Sequence, residues 1–197
     1  FTEKGPLSER PHTRLIALVA LGTVPTGIIG ITLKDFFEEL FATPSILAFS
    51  FAFTGVLLLV SGLAKPGTRS EVDMAWWQAL ALGVAQGLAI TPGISRSGTT
   101  IAVALMLGMS REFAARYSFL LAIPAISGAF VLKARDADLA AMDPSVLGVG
   151  FLASMVSGYL ALVILVKLVQ QGSFKHFAWY LFALAAFAAY MGATGAF

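Results

Sequence analysis

Residues 89–100 read Ala-Ile-Thr-Pro-Gly-Ile-Ser-Arg-Ser-Gly-Thr-Thr, and this stretch decides how the chain is interpreted. Arg96 lies within it, and uncharged residues flank it over 74–95 and 97–110. A guanidinium stays charged, and placing it at membrane depth costs roughly 2.5–3.5 kcal/mol on the mildest scale. The alternatives to a bound anion are an Arg that snorkels to the interface or pairs with a carboxylate. We favour an anion site, because ionisable residues inside membranes are functional by default.

The composition excludes a soluble domain. The 197 residues are 58% hydrophobic and 12% charged, whereas charged residues make up about 25% of soluble domains. The net charge is only +2, and the cations are expected at helix ends rather than in a nucleic-acid patch. The sequence contains no cysteine, which excludes disulfides and thiolate metal sites. We predict an all-α polytopic membrane protein that has the lipid bilayer, and no nucleic acid, as a partner.

The chain begins at Phe1, and residues 1–14 are polar. They lack the apolar core of a signal peptide. We therefore expect this chain to be part of a longer protein.

Hydropathy divides the chain into about five membrane crossings, each with roughly the 20 residues that a spanning helix needs. Residues 34–41 form a short amphipathic stretch that we expect to lie along the interface. Residues 1–197 are interpreted as a single integral membrane domain. The predicted crossings are 15–33, 44–64, 110–133, 145–166 and 177–196.

Residues 75–109 fit no single crossing. As helices, 75–91 would be about 25 Å long and 98–109 about 18 Å long, whereas the hydrocarbon core is about 30 Å thick. Pro92 and Gly93 break the helix between the two arms. We predict a re-entrant helix–loop–helix over about 75–109, which enters and leaves on one face. Its tip must be buried in protein or line a watery cavity.

The distribution of Lys and Arg predicts the orientation. Nine of these residues fall in segments 1–14, 65–73, 110–116 and 167–176, which share one predicted face. The positive-inside rule assigns that face to the cytoplasm. The three on the other face are Lys34, Lys133 and Arg135.

The predicted tip combines several kinds of anion-binding group. Arg96 offers a planar fork suited to phosphate oxygens. Gly93 allows close backbone approach, and the second arm begins just after Arg96 with free N–H groups that point at a ligand. Gln86 on the first arm is explained equally well by an interhelical hydrogen bond. The predicted phosphate ligands are Gly93, Arg96, Ser97, Gly98, Thr99, Thr100 and Gln86.

Arg96, Ser95 and Ser97 are the candidate catalytic residues, but no group that activates water is visible. Arg cannot act as a general base, and neither serine has a basic partner in view. The membrane runs contain no Asp or Glu, since Glu112 lies at the start of its helix, and both histidines lie in basic flanks where we interpret them as solvated. No metal ligand can be named.

Residues 86–101 resemble the second signature of the undecaprenyl pyrophosphate phosphatase (bacitracin-resistance) family, with its Pro-Gly-x-Ser-Arg-Ser-Gly core at 92–98. Residues 22–30, 108–111 and 117–124 resemble the family as well. The resemblance implies two inverted-topology halves, each with a re-entrant hairpin. The family's first half carries a Glu-rich signature and a Ser-Ser-Thr-Gly-His stretch, and neither occurs here.

The resemblance also implies a function. The substrate would be undecaprenyl diphosphate, a polyisoprenyl diphosphate lipid, hydrolysed to undecaprenyl phosphate and inorganic phosphate. The reaction would recycle the lipid carrier for cell-wall synthesis in the bacterial cytoplasmic membrane, at a site open to the periplasm. Activation by Mg²⁺ or Ca²⁺ is implied too. By the resemblance, Arg96 binds phosphate, and the residues of its cradle and the matching glutamine are Ser95, Ser97, Gly98, Thr100 and Gln86.

Two other functions remain open at this point. One is a flippase or transporter of a phosphate-bearing lipid, since broken helices and helix-terminus anion sites serve transport equally well. The other is an inactive remnant that acts as a structural partner. A homo-oligomer is left open.

Overall fold

The computed structural model describes residues 11–41, 43, 45–64, 67–136 and 143–194. These residues are mostly helical, with an isolated bridge between Arg69 and Met109. The helices in chain order are α1 (Pro11–Thr32), α2 (Lys34–Phe41), α3 (Ile46–Leu63), α4 (Trp76–Leu88), α5 (Arg96–Met106), α6 (Arg111–Asp136), α7 (Pro144–Gln170) and α8 (Phe177–Ala193), with a 3-10 turn (Ser173–His176) before α8.

Among the described helices, five are long and apolar enough to cross a membrane: α1, α3, α6, α7 and α8 with its preceding turn. The arms α4 and α5 have only 13 and 11 residues. At 1.5 Å per residue they are about 20 and 17 Å long, short of the roughly 30 Å hydrocarbon core. The chain is therefore an all-α, multi-pass membrane protein, as its composition predicts.

Two crossings continue past the C-terminal ends that the sequence predicts, and α1 begins at Pro11 rather than at residue 15. Helix α6 continues to Asp136 and α7 to Gln170, whereas the prediction ends them at 133 and 166. The reason is electrostatic, because cations in a last turn interact favourably with the negative end of the helix dipole. Lys133 and Arg135 in α6, and Lys167 in α7, occupy such turns. The predicted start of the second crossing, Pro44, lies outside the described residues.

The short helices α4 and α5 form a hairpin whose open end is closed by the preceding loop. Gln78, in the first turn of α4, donates its Nε2 to the carbonyl of Leu107 at the end of α5 (3.2 Å). The Arg69 N–H donates to the Gly108 carbonyl (3.2 Å), and the Ser110 N–H donates to the Arg69 carbonyl (3.0 Å). The hairpin therefore begins and ends beside one loop.

Glycines bring α1 and α4 into close backbone contact. A Cβ on Gly83 would come within 1.9 Å of the Gly22 carbonyl oxygen, and one on Gly87 within 2.7 Å of the Ile29 side chain. Such contacts between small residues are typical of membrane helix pairs. Because residues 22 and 29 pair in order with 83 and 87, the two helices run in the same direction.

The described parts of the segments that the charge count places together, residues 11–14, 67–73, 110–116 and 167–176, lie on one face, named here the basal face. Arg14, near the start of α1, donates to the Met74 carbonyl (2.8 Å) just before α4. Arg116 in α6 pairs with Glu71 in the same loop (3.5 Å). Lys175 packs against the last turns of α3. The opposite face, where α1 and α6 end and α3 begins, is named here the distal face.

The tip of the hairpin, residues 89–97, lies near the distal face. A Cβ on Gly30, two residues before the end of α1, would meet Ile90 at 3.1 Å. A Cβ on Gly93 would meet Leu47, in the first turn of α3, at 3.2 Å. The hairpin therefore enters from the basal face and reaches almost to the distal face.

We predict that Gly83→Ala disrupts the α1–α4 contact, because the new methyl group would collide with a backbone carbonyl. Overpacking of this kind typically costs about 1–3 kcal/mol, which lowers the melting temperature by roughly 2–4 °C per kcal/mol in a chain of this size. Thermal unfolding in detergent measures the effect. Gly128→Ala is the control, since nothing lies within 4 Å of a Cβ at that position. Equal melting temperatures for the two variants would contradict the packing described.

Candidate functional site

The turn at the tip depends on a glycine in a left-handed conformation. Gly93 has φ +84°, which costs a glycine little and other residues more. A Cβ there would also come within 2.8 Å of the Ser50 Cβ on α3. The Ile94 N–H closes the turn on the Thr91 carbonyl (3.1 Å). The backbone conformation and the packing therefore both require glycine at the point where the chain reverses.

Ser95 caps the second arm of the hairpin. Its backbone is extended, and its Oγ accepts the N–H of Gly98 (3.1 Å), the usual geometry of a serine N-cap. A Cβ on Gly98 would lie 2.7 Å from that Oγ. The capping hydrogen bond therefore needs a glycine at position 98, because a side chain there would collide with the Ser95 hydroxyl. Helix α5 begins at Arg96.

Two backbone N–H groups at the start of α5 are left free. The Ser95 N–H donates to Thr54 Oγ1 of α3 (3.3 Å), and the Thr99 N–H donates to the Ser95 carbonyl (2.8 Å). The N–H groups of Arg96 and Ser97 have no acceptor among the described residues. Free N–H groups at the positive end of a helix form an anion-binding site.

The Arg96 side chain adds a full charge to these two N–H groups. It is half-buried, and within the described part of the chain its guanidinium makes no hydrogen bond or ion pair. The Ser97 hydroxyl is likewise half-buried and without a partner there. The ion pairs of the described residues all lie elsewhere: Lys34–Glu38, Lys133–Glu38 and Arg116–Glu71.

The tip thus presents a guanidinium fork, two backbone donors and a hydroxyl in one turn of helix. Every one of these groups donates hydrogen bonds, and the only full charge is positive. Such a set suits the oxygens of a phosphate, which accept hydrogen bonds and favour bidentate contact with Arg.

Three further predicted ligands are buried beneath this donor set. Gly98, Thr99 and Thr100 all lie in the interior. The Thr100 hydroxyl contacts the Arg96 carbonyl (2.9 Å) and the Ser118 hydroxyl of α6. The Thr99 hydroxyl has no partner among the described residues. In this conformation Thr100 ties α5 to α6, and the accessible part of the predicted cradle is Gly93 with residues 95–97.

Gln86 forms the interhelical hydrogen bonds that the sequence left as an alternative. It is 1% exposed, and its Nε2 donates to Thr26 Oγ1 of α1 and to the Leu121 carbonyl of α6, both at 3.3 Å. These bonds join α4, the first arm of the hairpin, to α1 and α6. The Gln86 Oε1 has no partner within the described part of the chain.

Comparison with known proteins shows the family of this chain. The sequence profile of a family described as bacitracin resistance protein BacA matches residues 2–187. The chain belongs to this family. An undecaprenyl-diphosphatase of Carboxydothermus hydrogenoformans is 42% identical over 96% of this chain and 74% of its own length. One of Methanosphaera stadtmanae is 43% identical over 90% and 64%. One of Methanothermobacter thermautotrophicus is 44% identical over 85% and 94%.

Two residues that were not predicted hold the cradle of this BacA-family chain. Thr54 of α3 accepts the Ser95 N–H, and Ser118 of α6 contacts Thr100. Both lie outside the 86–101 signature. A sequence signal does exist for the first, since Ser50 and Thr54 are hydroxyl residues four apart in an apolar run and therefore share one helix face.

The divalent cation implied by the family resemblance does not fit the residues described at the tip. Hydrogen-bond donors and a guanidinium repel a metal ion rather than coordinate it, since hard cations take oxygen ligands. Elsewhere in the described ranges no group of three or more His, Asp or Glu residues is placed to hold a metal. We therefore assign no step of the chemistry to a bound metal.

We predict that Ser95→Ala and Ser97→Ala separate stability from anion binding. Loss of the Ser95 cap costs about 1 kcal/mol, whereas the Ser97 hydroxyl stabilises nothing in the described structure. Melting temperatures with and without inorganic pyrophosphate measure both properties, because a ligand that binds the folded state raises the melting temperature. The Ser97 variant should melt normally without ligand and show a smaller shift with it. A Ser97→Ala protein that melts early but binds normally would refute this division.

Proposed function

We propose that this chain forms the phosphate-binding part of an undecaprenyl-diphosphate phosphatase. The observation that carries the proposal lies in the first turn of α5, where the Arg96 guanidinium and the N–H groups of Arg96 and Ser97 have no partner among the described residues. The substrate class comes from the relatives, which are undecaprenyl-diphosphatases. A lipid diphosphate suits this site, because its head group is an anion and its apolar tail partitions into the bilayer.

Binding of the terminal phosphate follows from the donor geometry. The Arg96 fork takes two phosphate oxygens, and the N–H groups of Arg96 and Ser97 with the Ser97 hydroxyl take the rest. During hydrolysis a water oxygen bonds to the terminal phosphorus, and the bond from phosphorus to the bridging oxygen breaks. Undecaprenyl phosphate leaves with that oxygen. Fixed donors stabilise the charge that develops on the phosphoryl oxygens.

The described residues bind and polarise the phosphate, but they do not activate water. Neither Ser95 nor Ser97 hydrogen-bonds to a His, Asp or Glu in the described ranges. We propose that the general base comes from a segment outside them. The family's Glu-rich signature, which is not found in this sequence, has the chemistry for that role.

The position of the tip favours catalysis at the outer surface of the membrane. The tip lies near the distal face, and the excess of cations assigns the basal face to the cytoplasm. We propose that the protein resides in the bacterial cytoplasmic membrane and takes its lipid substrate from the outer leaflet. Released phosphate would then leave on the side opposite the cytoplasm.

We predict that Arg96→Lys removes most of the phosphate release, because an ammonium point charge replaces a bidentate planar fork. Loss of one preorganised donor to a reacting oxyanion typically costs about 10²–10³ in kcat. Phosphate release from a farnesyl-type diphosphate, with the intact protein in detergent, measures the effect. Arg135→Lys, at the exposed end of α6, is the matched control and should behave as the wild type.

Two outcomes would count against the proposed function. One is near-normal turnover in the Arg96→Lys protein. The other is movement of a phosphate-bearing lipid across vesicle membranes by a wild-type protein that releases no phosphate, which would indicate a transporter.

A further inference from the structure

Helix α3 supports the hairpin tip through two buried hydroxyl residues. Ser50 and Thr54 are both 0% exposed. A Cβ on Gly93 would meet the Ser50 Cβ at 2.8 Å, and one on Gly98 would meet Thr54 Cγ2 at 3.6 Å. Ser50 therefore lies beside the chain reversal at Gly93, and Thr54 lies beside the start of α5.

The direction of the Thr54 hydrogen bonds is fixed by chemistry. A backbone N–H can only donate, so Thr54 Oγ1 accepts from Ser95 at 3.3 Å. The hydroxyl proton of Thr54 is then free to go to the Ser50 carbonyl, one turn earlier on the same helix, at 3.0 Å. Thr54 thus uses its proton within α3 and turns a lone pair toward the tip.

This contact is one of three hydrogen bonds that hold Ser95. The N–H of Ser95 is held by Thr54, its hydroxyl by the Gly98 N–H, and its carbonyl by the Thr99 N–H. With all three groups engaged, Ser95 cannot rotate without breaking a bond. The next N–H groups along the chain, those of Arg96 and Ser97, have no acceptor among the described residues and belong to the proposed anion site. Their direction therefore depends on Ser95, and the direction of Ser95 depends on α3.

We propose that Thr54 is a positioning residue for the phosphate site, acting through Ser95 and without touching the substrate. The inference rests on the proposed phosphatase function for its kinetic consequence. Its structural consequence, the fixed direction of the α5 start, does not depend on that function. The rate of catalysis depends closely on where the donors lie, since a misplacement of about 1 Å can lower it by about 10²-fold.

The experiment compares three variants of the intact protein in detergent. Thr54→Val keeps the shape but loses the acceptor, and Thr54→Ser keeps the acceptor. Thr23→Val is the matched control, because Thr23 also donates to the carbonyl one turn earlier (Val19, 2.8 Å) but does not touch the tip. The two readouts are phosphate release from a farnesyl-type diphosphate and hydrogen exchange of a peptide covering residues 93–100.

We expect Thr54→Val to lower kcat/KM by about tenfold to a hundredfold and to speed amide exchange in that peptide by about tenfold. Thr54→Ser should restore both properties to within about threefold. Thr23→Val should match the wild type in both.

Each contrary result has a distinct meaning. Unchanged exchange in the Thr54→Val peptide overturns the positioning role, whatever the activity. Faster exchange at normal kcat/KM overturns it too, because the site would then tolerate a loose tip. An inactive wild-type protein whose Thr54→Val peptide exchanges faster refutes the phosphatase proposal and leaves the contact between α3 and the tip supported.

Discussion

The free energy of one unpaired charge constrains much of this molecule. Arg96 is half-buried at the tip of a hairpin that reaches nearly across the membrane domain, and it has no counter-ion among the described residues. A charge withdrawn from water without a partner costs free energy. The cost is tolerable only where the surrounding helices hold the guanidinium in a polar recess and an anion offsets its charge.

The surrounding helices meet that requirement by different means. Gly83 and Gly87 let the first arm of the hairpin, α4, pack directly on α1. Its open end is fixed at the basal face by backbone bonds between the Arg69 segment and residues 108–110. Its tip is held by α3, and α5 is tied to α6 through Thr100. The partner residues on α1, α3 and α6 lie outside the signature in sequence, and the contact with Thr54 bears on the direction of the donors at the tip.

The sequence predicts the features that depend on local chemistry. Apolar runs predict the crossings because only a helix satisfies its backbone within lipid. Pro92 and Gly93 predict the break, and the shortness of the arms predicts that they fold back. Arg96 stands out because it is the one charge between residues 74 and 110. The helix ends were less accurate where charges continue a helix past the hydrocarbon, as Lys167 does in α7.

Contacts between segments that are distant in the chain could not be predicted from the sequence. Thr54 and Ser95 are 41 residues apart, and nothing in either segment names the other as its partner. Gln86 illustrates the same limit, since spacing alone leaves ligand and interhelical bond equally plausible. Only the packing of α1, α4 and α6 directs its amide toward Thr26 and Leu121.

The most direct test of the central claim is a solid-state NMR measurement of ¹⁵N–³¹P coupling between arginine side chains and a bound diphosphate lipid in membranes. If Arg96 binds the lipid head, its guanidinium nitrogens lie about 2.7–2.9 Å from phosphate oxygens, and the coupling disappears in the Arg96→Lys protein. A coupling that survives in that variant, or a bound lipid with no arginine coupling, would contradict the account.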